Sequence, residues 1–427
     1  MPPTPPDPSD DPADAETPTT PSAPPAASSA TASGLRGYAA VSARYDSRRA
    51  AMEVADRLAA AGAGGADVVF VFGSFHHRAA FADQTAIVRR GIRARHVVGV
   101  TAEWVVGPRT ELEQSAGLSA LALHLPGCRV TPVQLDVDHG PPVLWEPNVL
   151  RRRVGWAPDT RATVLFADPF SIHAPALLTR FADVFRAPPL PIVGGLSSGS
   201  SQPGANVLVL DDEISATGAV GVTLGGPVQI DAFVSPGCRP LGPALLVTKS
   251  KGNVLEELGG KPALEVINEL MEAAPEEDRE AARQGLSIGI AIDEYRERFG
   301  REDFLLRNVL RADVARRSIS IGDLVRPGRT VRFHVRDRLA AVEDLELLLD
   351  REQMRDPAAA VFLATCNARG KGLFGASSYD ARTIARRMSD VPLAGFFAAG
   401  EIGPVGNRSW LHGHALAAAI LRDAPRA

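Results

Sequence analysis

Two segments of the sequence place a cysteine close to an arginine, a combination that can bind or attack polar groups. In residues 235–242, Cys238 precedes Arg239, and Gly237 and two prolines flank them. A nearby guanidinium lowers the pKa of a thiol, or it binds a carboxylate through two hydrogen bonds. We favour the second role for Arg239. The alternative is a rigid turn in which Cys238 packs as a small apolar group.

The second segment follows a predicted strand and contains Cys366, Arg369 and Gly370. Glu401 lies at the end of the strand that we expect to pair with it. Ligands of open α/β sheets bind at the carboxyl ends of strands. A ligand there would meet both a cation and an anion, as the carboxylate and ammonium of an amino acid require. The alternative is an internal ion pair between Arg369 and Glu401 without a ligand.

Short runs of small residues follow two other predicted strands. Thr101 and Glu103 come after one strand, and Ser197, Ser198 and Gly199 come after another. Small side chains let backbone N–H groups approach an anionic ligand. The serine-rich run lacks the lysine of a phosphate-binding loop and the spacing of a dinucleotide site, and no aspartate–histidine pattern accompanies it as in a hydrolase. A flexible polar loop is the alternative to a ligand-binding turn.

The histidines do not form a metal-binding pattern. None has the i, i+4 partner and acid that zinc enzymes use, so we expect no metal site and no cofactor. A single axial haem ligand would leave no such pattern, so haem stays open. The histidines considered are His76, His77, His173, His412 and His414.

The composition disfavours several classes of protein. The 427-residue chain has a net charge of −4 and no dominant basic block, which argues against nucleic-acid and membrane partners. Its three cysteines are far apart, as expected of reduced thiols rather than of a disulfide framework. No apolar stretch of about 18 residues and no signal-peptide pattern is present. We therefore expect a soluble, cytoplasmic protein.

A repeated unit of strand, helix and strand positions most of the candidate residues. Each copy combines a continuous apolar run, a helical spacing of apolar residues and a second apolar run that ends in a turn of small residues. This pattern predicts a parallel crossover unit. The three copies are residues 68–72, 80–90 and 96–100; residues 163–166, 175–185 and 191–196; and residues 360–365, 379–388 and 393–397.

Other segments predict a mixed sheet and a division into two domains. Three pairs of antiparallel strands flank short turns: 118–125 with 130–137, 206–210 with 219–224, and 318–321 with 330–335. A helix that opens at Pro262 separates a domain over 35–260 from one over 261–427, and another helix covers 342–354. Residues 1–34 predict a disordered tail, because they contain few large apolar side chains. The expected class is α/β, with mixed sheets, flanking helices and two halves packed in layers.

Several of these segments resemble the FIST family of sensory domains. Residues 98–107, 191–199, 218–222 and 235–242 resemble the FIST N-terminal domain, whereas 362–370 and 395–404 resemble the FIST C-terminal domain. The similarity extends from about residue 66 to residue 414. It implies a signal-transduction protein that binds a small intracellular ligand, such as an amino acid, between the two halves. A separate partner protein would have to read the bound state, because the sequence shows no fused output domain.

This hypothesis gathers the candidate residues of both halves into one pocket. Arg239 or Arg369 would hold a carboxylate and Glu401 an amine, while small residues leave room for the ligand. Some relatives bind haem and sense nitric oxide, which is one alternative. An enzyme with a cysteine nucleophile and a protein-interaction scaffold are the others, and we expect binding rather than catalysis. The full set is Thr101, Glu103, Ser197, Ser198, Gly199, Gly237, Cys238, Arg239, Cys366, Arg369, Gly370 and Glu401.

Overall fold

Three structural units of the same design make up most of the described chain. The computed structural model describes residues 34–138, 140–300 and 303–425. The predicted disordered tail over residues 1–34 lies outside these ranges, apart from Gly34. Each unit contains an outer strand, a helix, a strand–helix–strand crossover, a short hairpin and a final strand. A separate lobe is inserted into the third unit after its outer strand.

The helices and strands have the following bounds. The first unit contains β1 (Arg36–Ser42), α1 (Ser47–Ala60), β2 (Val68–Ser74), α2 (Phe81–Ile92), β3 (His96–Ala102), β4 (Val105–Gly107), β5 (Thr110–Leu112) and β6 (Leu118–His124). The second contains β7 (Arg129–Leu135), α3 (Pro147–Arg153), β8 (Thr160–Ala167), α4 (Ala174–Val184), β9 (Ile192–Leu196), β10 (Leu208–Leu210), β11 (Glu213–Ser215) and β12 (Ala219–Gly225). The third begins with β13 (Val228–Pro236). The lobe then contains β14 (Cys238–Lys251), β15 (Val254–Leu258), β16 (Lys261–Pro262), α5 (Ala263–Ala273), α6 (Glu276–Gln284), β17 (Leu286–Ala291), β18 (Phe304–Asp313), β19 (Ser318–Ile321) and β20 (Thr330–Arg336). The third unit continues with α7 (Arg338–Gln353), β21 (Ala360–Cys366), α8 (Lys371–Phe374), α9 (Tyr379–Arg387), β22 (Leu393–Ala398), β23 (Glu401–Val405), β24 (Arg408–His412) and β25 (Ala415–Asp423). Short 3-10 helices also span Phe75–Ala80 and Pro142–Leu144.

The crossovers confirm the parallel strand pairs predicted from the sequence. β2 pairs in parallel with β3, β8 with β9, and β21 with β22. The final strand of each unit then adds antiparallel to the crossover, which makes these three sheets mixed. The predicted α/β class with mixed sheets and flanking helices is therefore confirmed.

The hairpins are exchanged between units in a cycle. The β4–β5 hairpin of the first unit pairs with β22 of the third, and the β10–β11 hairpin of the second pairs with β3 of the first. The β23–β24 hairpin of the third unit pairs with β9 of the second. Each hairpin follows a parallel crossover along the chain. The small-residue turn between a crossover and its hairpin therefore lies where two units meet.

An aromatic cluster fills the space between the three sheets. Phe72 stacks on Phe396 with ring centroids 5.3 Å apart, and Phe166 meets Phe72 edge-to-face at 5.6 Å. Phe362 lies 5.5 Å from Phe166. Each fully buried phenylalanine contributes roughly 1.5–3 kcal/mol from burial. The three sheets therefore share one apolar core.

Helices cover the outer faces of these sheets and explain the continuous apolar runs in the sequence. α1 and α2 pack on the first sheet, α3 and α4 on the second, and α7 and α9 on the third. β2 is buried at every position, because the shared core lies on one face and helices lie on the other. The helices predicted from Pro262 and over 342–354 are present as α5 and α7. Among the described residues, no helix is both long and apolar enough to cross a lipid bilayer.

The inserted lobe spans residues 238–336 and has an apolar core of its own. Its first and last strands, β14 and β20, pair with each other where the lobe joins the third unit. The predicted domain division at 260/261 falls between β15 and β16, inside this lobe. The predicted boundary between the two domains therefore lies within the lobe, whereas the lobe itself joins the three-sheet core at residues 238 and 336.

The three strand pairs predicted across short turns are wrong. β6 and β7 lie in different sheets, as do β10 and β12, and β19 does not pair with β20. β7 pairs with β12 instead, and β10 pairs with β3 and β11. The chain does reverse or turn at these positions, but it passes to another sheet or another neighbour. Local turn chemistry specifies the bend and leaves the pairing partner to tertiary packing.

Candidate ligand-binding site

Turns from all three units meet at the carboxyl ends of the parallel strands. The Ser197 hydroxyl donates to the carbonyl oxygen of Thr101 at 2.6 Å. The Ser198 hydroxyl donates to the carbonyl oxygen of Phe397 and accepts from Glu103 N–H at 2.8 Å. Ser198 therefore links strands that belong to three different units. The structure brings these predicted residues together, with both serine hydroxyls bonded to backbone groups.

Gly199 allows the turns at this junction to approach closely. A Cβ atom at Gly199 would lie 2.7 Å from the Cβ of Thr101, which is closer than side chains pack. The neighbouring Glu103 is half-buried, and burial raises the pKa of its carboxyl group. These small-residue turns thus form a packed contact between units.

Both arginines proposed as carboxylate ligands are occupied by acids of this chain. Arg369 is 1% exposed, and its Nε and Nη2 atoms donate to the two oxygens of Asp380, each at 2.9 Å. Arg239 donates to the carboxylates of Asp278 and Asp337. A guanidinium held by two hydrogen bonds to a buried carboxylate is a structural pair. Neither arginine has its charge free to hold a ligand.

Glu401 has an unsatisfied carboxyl oxygen. The residue is 0% exposed, and its Oε2 atom accepts a hydrogen bond from Ala415 N–H at 3.2 Å. Its Oε1 atom has no hydrogen-bond partner within the described residues. The ion pair with Arg369 that the sequence suggested does not form, since Arg369 bonds Asp380. Burial raises the pKa of Glu401 well above its usual value, which favours a protonated carboxyl group at neutral pH.

The Cys366 thiol lies beside the Glu401 carboxyl group. Burial raises the pKa of this thiol. Burial also raises the pKa of Cys238 to about 12, although Arg336 and Arg369 oppose the shift. Both thiols are therefore held protonated at neutral pH, which weakens the case for a nucleophilic cysteine.

Three neighbouring polar side chains that the sequence did not single out as site residues complete the surroundings of Cys366. Arg336, at the end of β20, donates to the carbonyl oxygen of Ala368 at 3.1 Å. No carboxylate in the described part of the chain lies within ion-pair distance of Arg336. Asn308 of the lobe bonds His414 Nε2 at 2.5 Å, and the Oδ1 atom of Asn367 has no partner among the described residues.

His414 is held as a neutral imidazole in this cluster. Burial and the nearby charge of Arg336 lower its pKa to about 4. Its Nδ1 atom, like Glu401 Oε1, is buried without a hydrogen-bond partner in the described residues. Cys366, Asn367 and His414 are each partly exposed, so this end of the third unit reaches solvent.

The strand-end side chains of the first two units, Ser74 and Asp168, have hydrogen-bond partners within the chain, although His77 Nε2 and Asn206 Oδ1 in adjoining segments are buried without one in the described residues. In a strand, every second side chain faces the same side. Ser74, Asp168 and Cys366 are therefore the next inward-facing positions after the core residues of β2, β8 and β21. The Ser74 hydroxyl accepts from Gly117 N–H at 2.9 Å. Asp168 accepts from the backbone and hydroxyl of Ser171 at 2.9 and 2.7 Å. Its other oxygen accepts from the Asn206 amide at 2.9 Å.

The remaining predicted residues lie around the third strand end. A Cβ atom at Gly237 would lie 3.2 Å from Arg369 Nη1 and 2.9 Å from the carbonyl oxygen of His414. Gly370 has φ 61°, and a Cβ there would lie 2.5 Å from the Glu113 carboxylate. Gly237, Cys238, Cys366, Arg369, Gly370 and Glu401 therefore form one neighbourhood, whereas the Arg239 side chain bonds acids on α6 and before α7.

Comparison with known proteins identifies the family. Residues 67–261 match the FIST N domain, and residues 263–404 match the FIST C domain. The chain belongs to the FIST family. FIST domains are sensory, signal-transduction domains. The resemblance noted in the sequence is thus confirmed, and Cys366, Arg369 and Glu401 lie within the matched FIST C domain.

This FIST protein has full-length relatives in mycobacteria. It is 35% identical over 390 residues to the uncharacterized protein Rv0628c of Mycobacterium tuberculosis, covering 90% of this chain and 98% of the relative. It is also 35% identical over 386 residues to the uncharacterized protein Mb0898c of Mycobacterium bovis, covering 88% and 96% of the two chains. Among solved structures, a cyanuric acid hydrolase from A. caulinodans aligns with a TM-score of 0.35 and 10% identity over 91% of this chain and 99% of that chain.

Proposed function

We propose that this FIST protein is a cytoplasmic sensor that binds a small polar ligand, such as an amino acid, at the end of the third parallel strand pair. The observation that carries the proposal is the Oε1 atom of Glu401, which is buried without a hydrogen-bond partner in the described residues. Leaving a buried polar atom unsatisfied costs about 1–3 kcal/mol. A ligand that donates a hydrogen bond to Glu401 removes this cost on binding.

The two charged ends of an amino acid match two groups at this site. Arg336 has no carboxylate partner in the described residues and takes the carboxylate-binding role first assigned to Arg239 or Arg369. Glu401 accepts from the ligand ammonium. Cys366 and Asn367 are partly exposed, and Cys366 lies beside Glu401. Small ligands bind where a few polar groups converge in a largely apolar wall.

The cysteine chemistry supports the cytoplasmic setting. Cys128, Cys238 and Cys366 are all free thiols. Reduced cysteines are usual in proteins of the reducing cytosol, whereas small secreted domains use theirs in disulfides.

Thermal shift and titration calorimetry with the twenty amino acids test the proposal. A ligand at one hundred times its Kd stabilises the folded protein by about 2.7 kcal/mol and raises the Tm. We expect Arg336→Ala and Glu401→Gln to weaken binding at least tenfold, which corresponds to about 1.4 kcal/mol. Arg326→Ala is the matched control, because Arg326 is an exposed arginine of the same lobe.

The pH dependence of affinity sharpens the test. Burial keeps the Glu401 carboxyl group protonated, so binding of an ammonium requires the loss of that proton. Affinity should rise with pH until Glu401 is ionised in the free protein, and Glu401→Gln should remove this rise. Equal binding by wild type and both variants would place the ligand elsewhere, and no response to any amino acid would reject this ligand class.

A further inference from the structure

An exposed aromatic ridge lies on the first unit, remote in sequence from the third strand end. Tyr45 is 70% exposed and Phe75 is 47% exposed. Both contact the exposed ring of His76, which stacks on Phe75 at 3.9 Å and meets Tyr45 edge-on at 5.8 Å. Aromatic side chains are enriched at protein interfaces, where they supply large contact areas at low entropic cost. The ridge therefore has the composition of a binding surface.

A groove between α1 and α2 adjoins this ridge. Its volume is about 560 Å³, and Met52 and Ile87 provide apolar lining, with Met52 49% exposed. The Gln84 amide donates to the carbonyl oxygen of Ser47 at 2.8 Å, so the start of α1 lies beside the first turns of α2. At the other end, a Cβ on Gly91 would lie 2.7 Å from the Cβ of Ala55. The two helices thus run parallel and border the groove along its length.

Arginines stand at the two ends of this groove. Arg48 lies at the start of α1 and Arg90 near the end of α2, and both line the groove. Neither has a carboxylate within ion-pair distance in the described part of the chain, and both are exposed. Asp83 is the acid among the lining residues. Because Ser47 lies level with Gln84, Arg48 and Arg90 are separated by five to six residues of helical rise, or about 8–9 Å along the groove.

We propose that this surface docks an acidic amphipathic helix of a partner protein. A helix laid in a groove presents residues at i, i+3, i+4 and i+7 to it. Seven residues of helix span about 10.5 Å, a difference that the long, exposed arginine side chains can cover, so acids at i and i+7 reach Arg48 and Arg90 together. Apolar residues at i+3 and i+4 then contact Met52 and Ile87. Tyr45 and Phe75 extend the contact beyond the groove.

Binding of synthetic helical peptides tests the docking surface, with fluorescence anisotropy as the readout. The first peptide carries glutamates at i and i+7 around a leucine pair, and the second carries lysines at the same two positions. We expect the glutamate peptide to bind at least tenfold more tightly. The double variant Arg48→Ala with Arg90→Ala should abolish that preference, and Met52→Asp should weaken both peptides.

Controls separate a specific site from general charge attraction. Arg152→Ala is the matched control, because Arg152 is an exposed helical arginine on α3. A third peptide with its glutamates at i and i+5 places them on different faces and should bind no better than the lysine peptide. Equal binding of all three peptides, or an equal loss in Arg152→Ala, would overturn the proposal. The surface uses no residue of the ligand site, so the two proposals fail independently.

Discussion

The three parallel crossovers end in the same way in the fold but differ in how their buried polar groups are satisfied. At the first two ends, Ser74 bonds Gly117, and Asp168 bonds Ser171 and Asn206, although Asn206 Oδ1 is itself buried without a partner in the described residues. At the third end, Glu401 and His414 each bury an atom without a partner in the described residues. Buried polar groups are almost always hydrogen-bonded, so such exceptions require an explanation.

The inserted lobe accompanies this difference. It joins the chain between β13 and α7, and its residues Asn308 and Arg336 contact the third strand end. No equivalent insertion occurs in the described parts of the first two units. The comparison teaches that Ser74 and Asp168 are bonded within their own units, whereas side chains of the lobe contact the third strand end.

The largest loss of stability is expected when the buried ion pair between Arg369 and Asp380, at the third strand end, is removed. Asp380→Ala leaves the Arg369 guanidinium buried without its carboxylate and should destabilise the protein by about 3–5 kcal/mol. Urea denaturation of wild type and variant measures this loss. Glu269→Ala on α5, which removes an exposed pair with Lys261, should change stability little. A small loss for Asp380→Ala would show that the pair is not the structural anchor of this end.

A smaller loss of stability should follow when Asp168, the hydrogen-bonded acid at the second strand end, is removed. Asp168→Ala leaves the Asn206 amide and the Ser171 hydroxyl without their acceptor and should cost about 1–3 kcal/mol. Chemical denaturation measures it, with the exposed Asp183→Ala as control. If Asp168→Ala left stability unchanged, the hydrogen bonds of Asp168 would contribute nothing measurable to the stability of the second strand end.

A pH-dependent effect is expected at Glu111, which reaches the third unit on the exchanged β5 strand. One carboxyl oxygen of Glu111 accepts from Ala381 N–H at 2.9 Å, and the other has no partner in the described residues. Burial, together with the nearby charge of Asp380, raises the pKa of Glu111 to about 8. An acid with a raised folded pKa binds more protons in the folded state, so stability falls as pH rises from about 4.5 to about 8. Glu111→Gln should reduce this fall in Tm, and Glu213→Gln should not. An unchanged pH profile in Glu111→Gln would assign the proton uptake to other groups.

The smallest effect on stability is expected at the proposed ligand group itself. Glu401→Gln replaces a carboxyl group that burial already favours as neutral, so the free energy of unfolding at pH 7 should change by less than about 1 kcal/mol. Ligand binding should nevertheless be lost. Denaturation and calorimetry on the same sample separate the two. A loss of several kcal/mol would instead identify Glu401 as a structural residue.

The sequence determined the local elements and the repeat. Continuous apolar runs predicted β2, β8 and β21 as strands, and helical spacing predicted the crossover helices between parallel strands. Both signals depend only on the period of the backbone, two for strands and 3.6 for helices, so they are readable without tertiary contacts. Small residues at 197–199 and at Gly237 also marked positions where the chain packs closely.

Only the tertiary structure decided which strands pair and which charges are free. The hairpins exchange between units, so β10 meets β3 rather than β12, and no local pattern encodes a neighbour that is a hundred residues away. Arg369 looked available in the sequence, but Asp380 neutralises it, and Arg336 at the end of the lobe remains without an acid in the described residues. Residue type sets what a side chain can bind, whereas the surrounding fold sets what it has already bound.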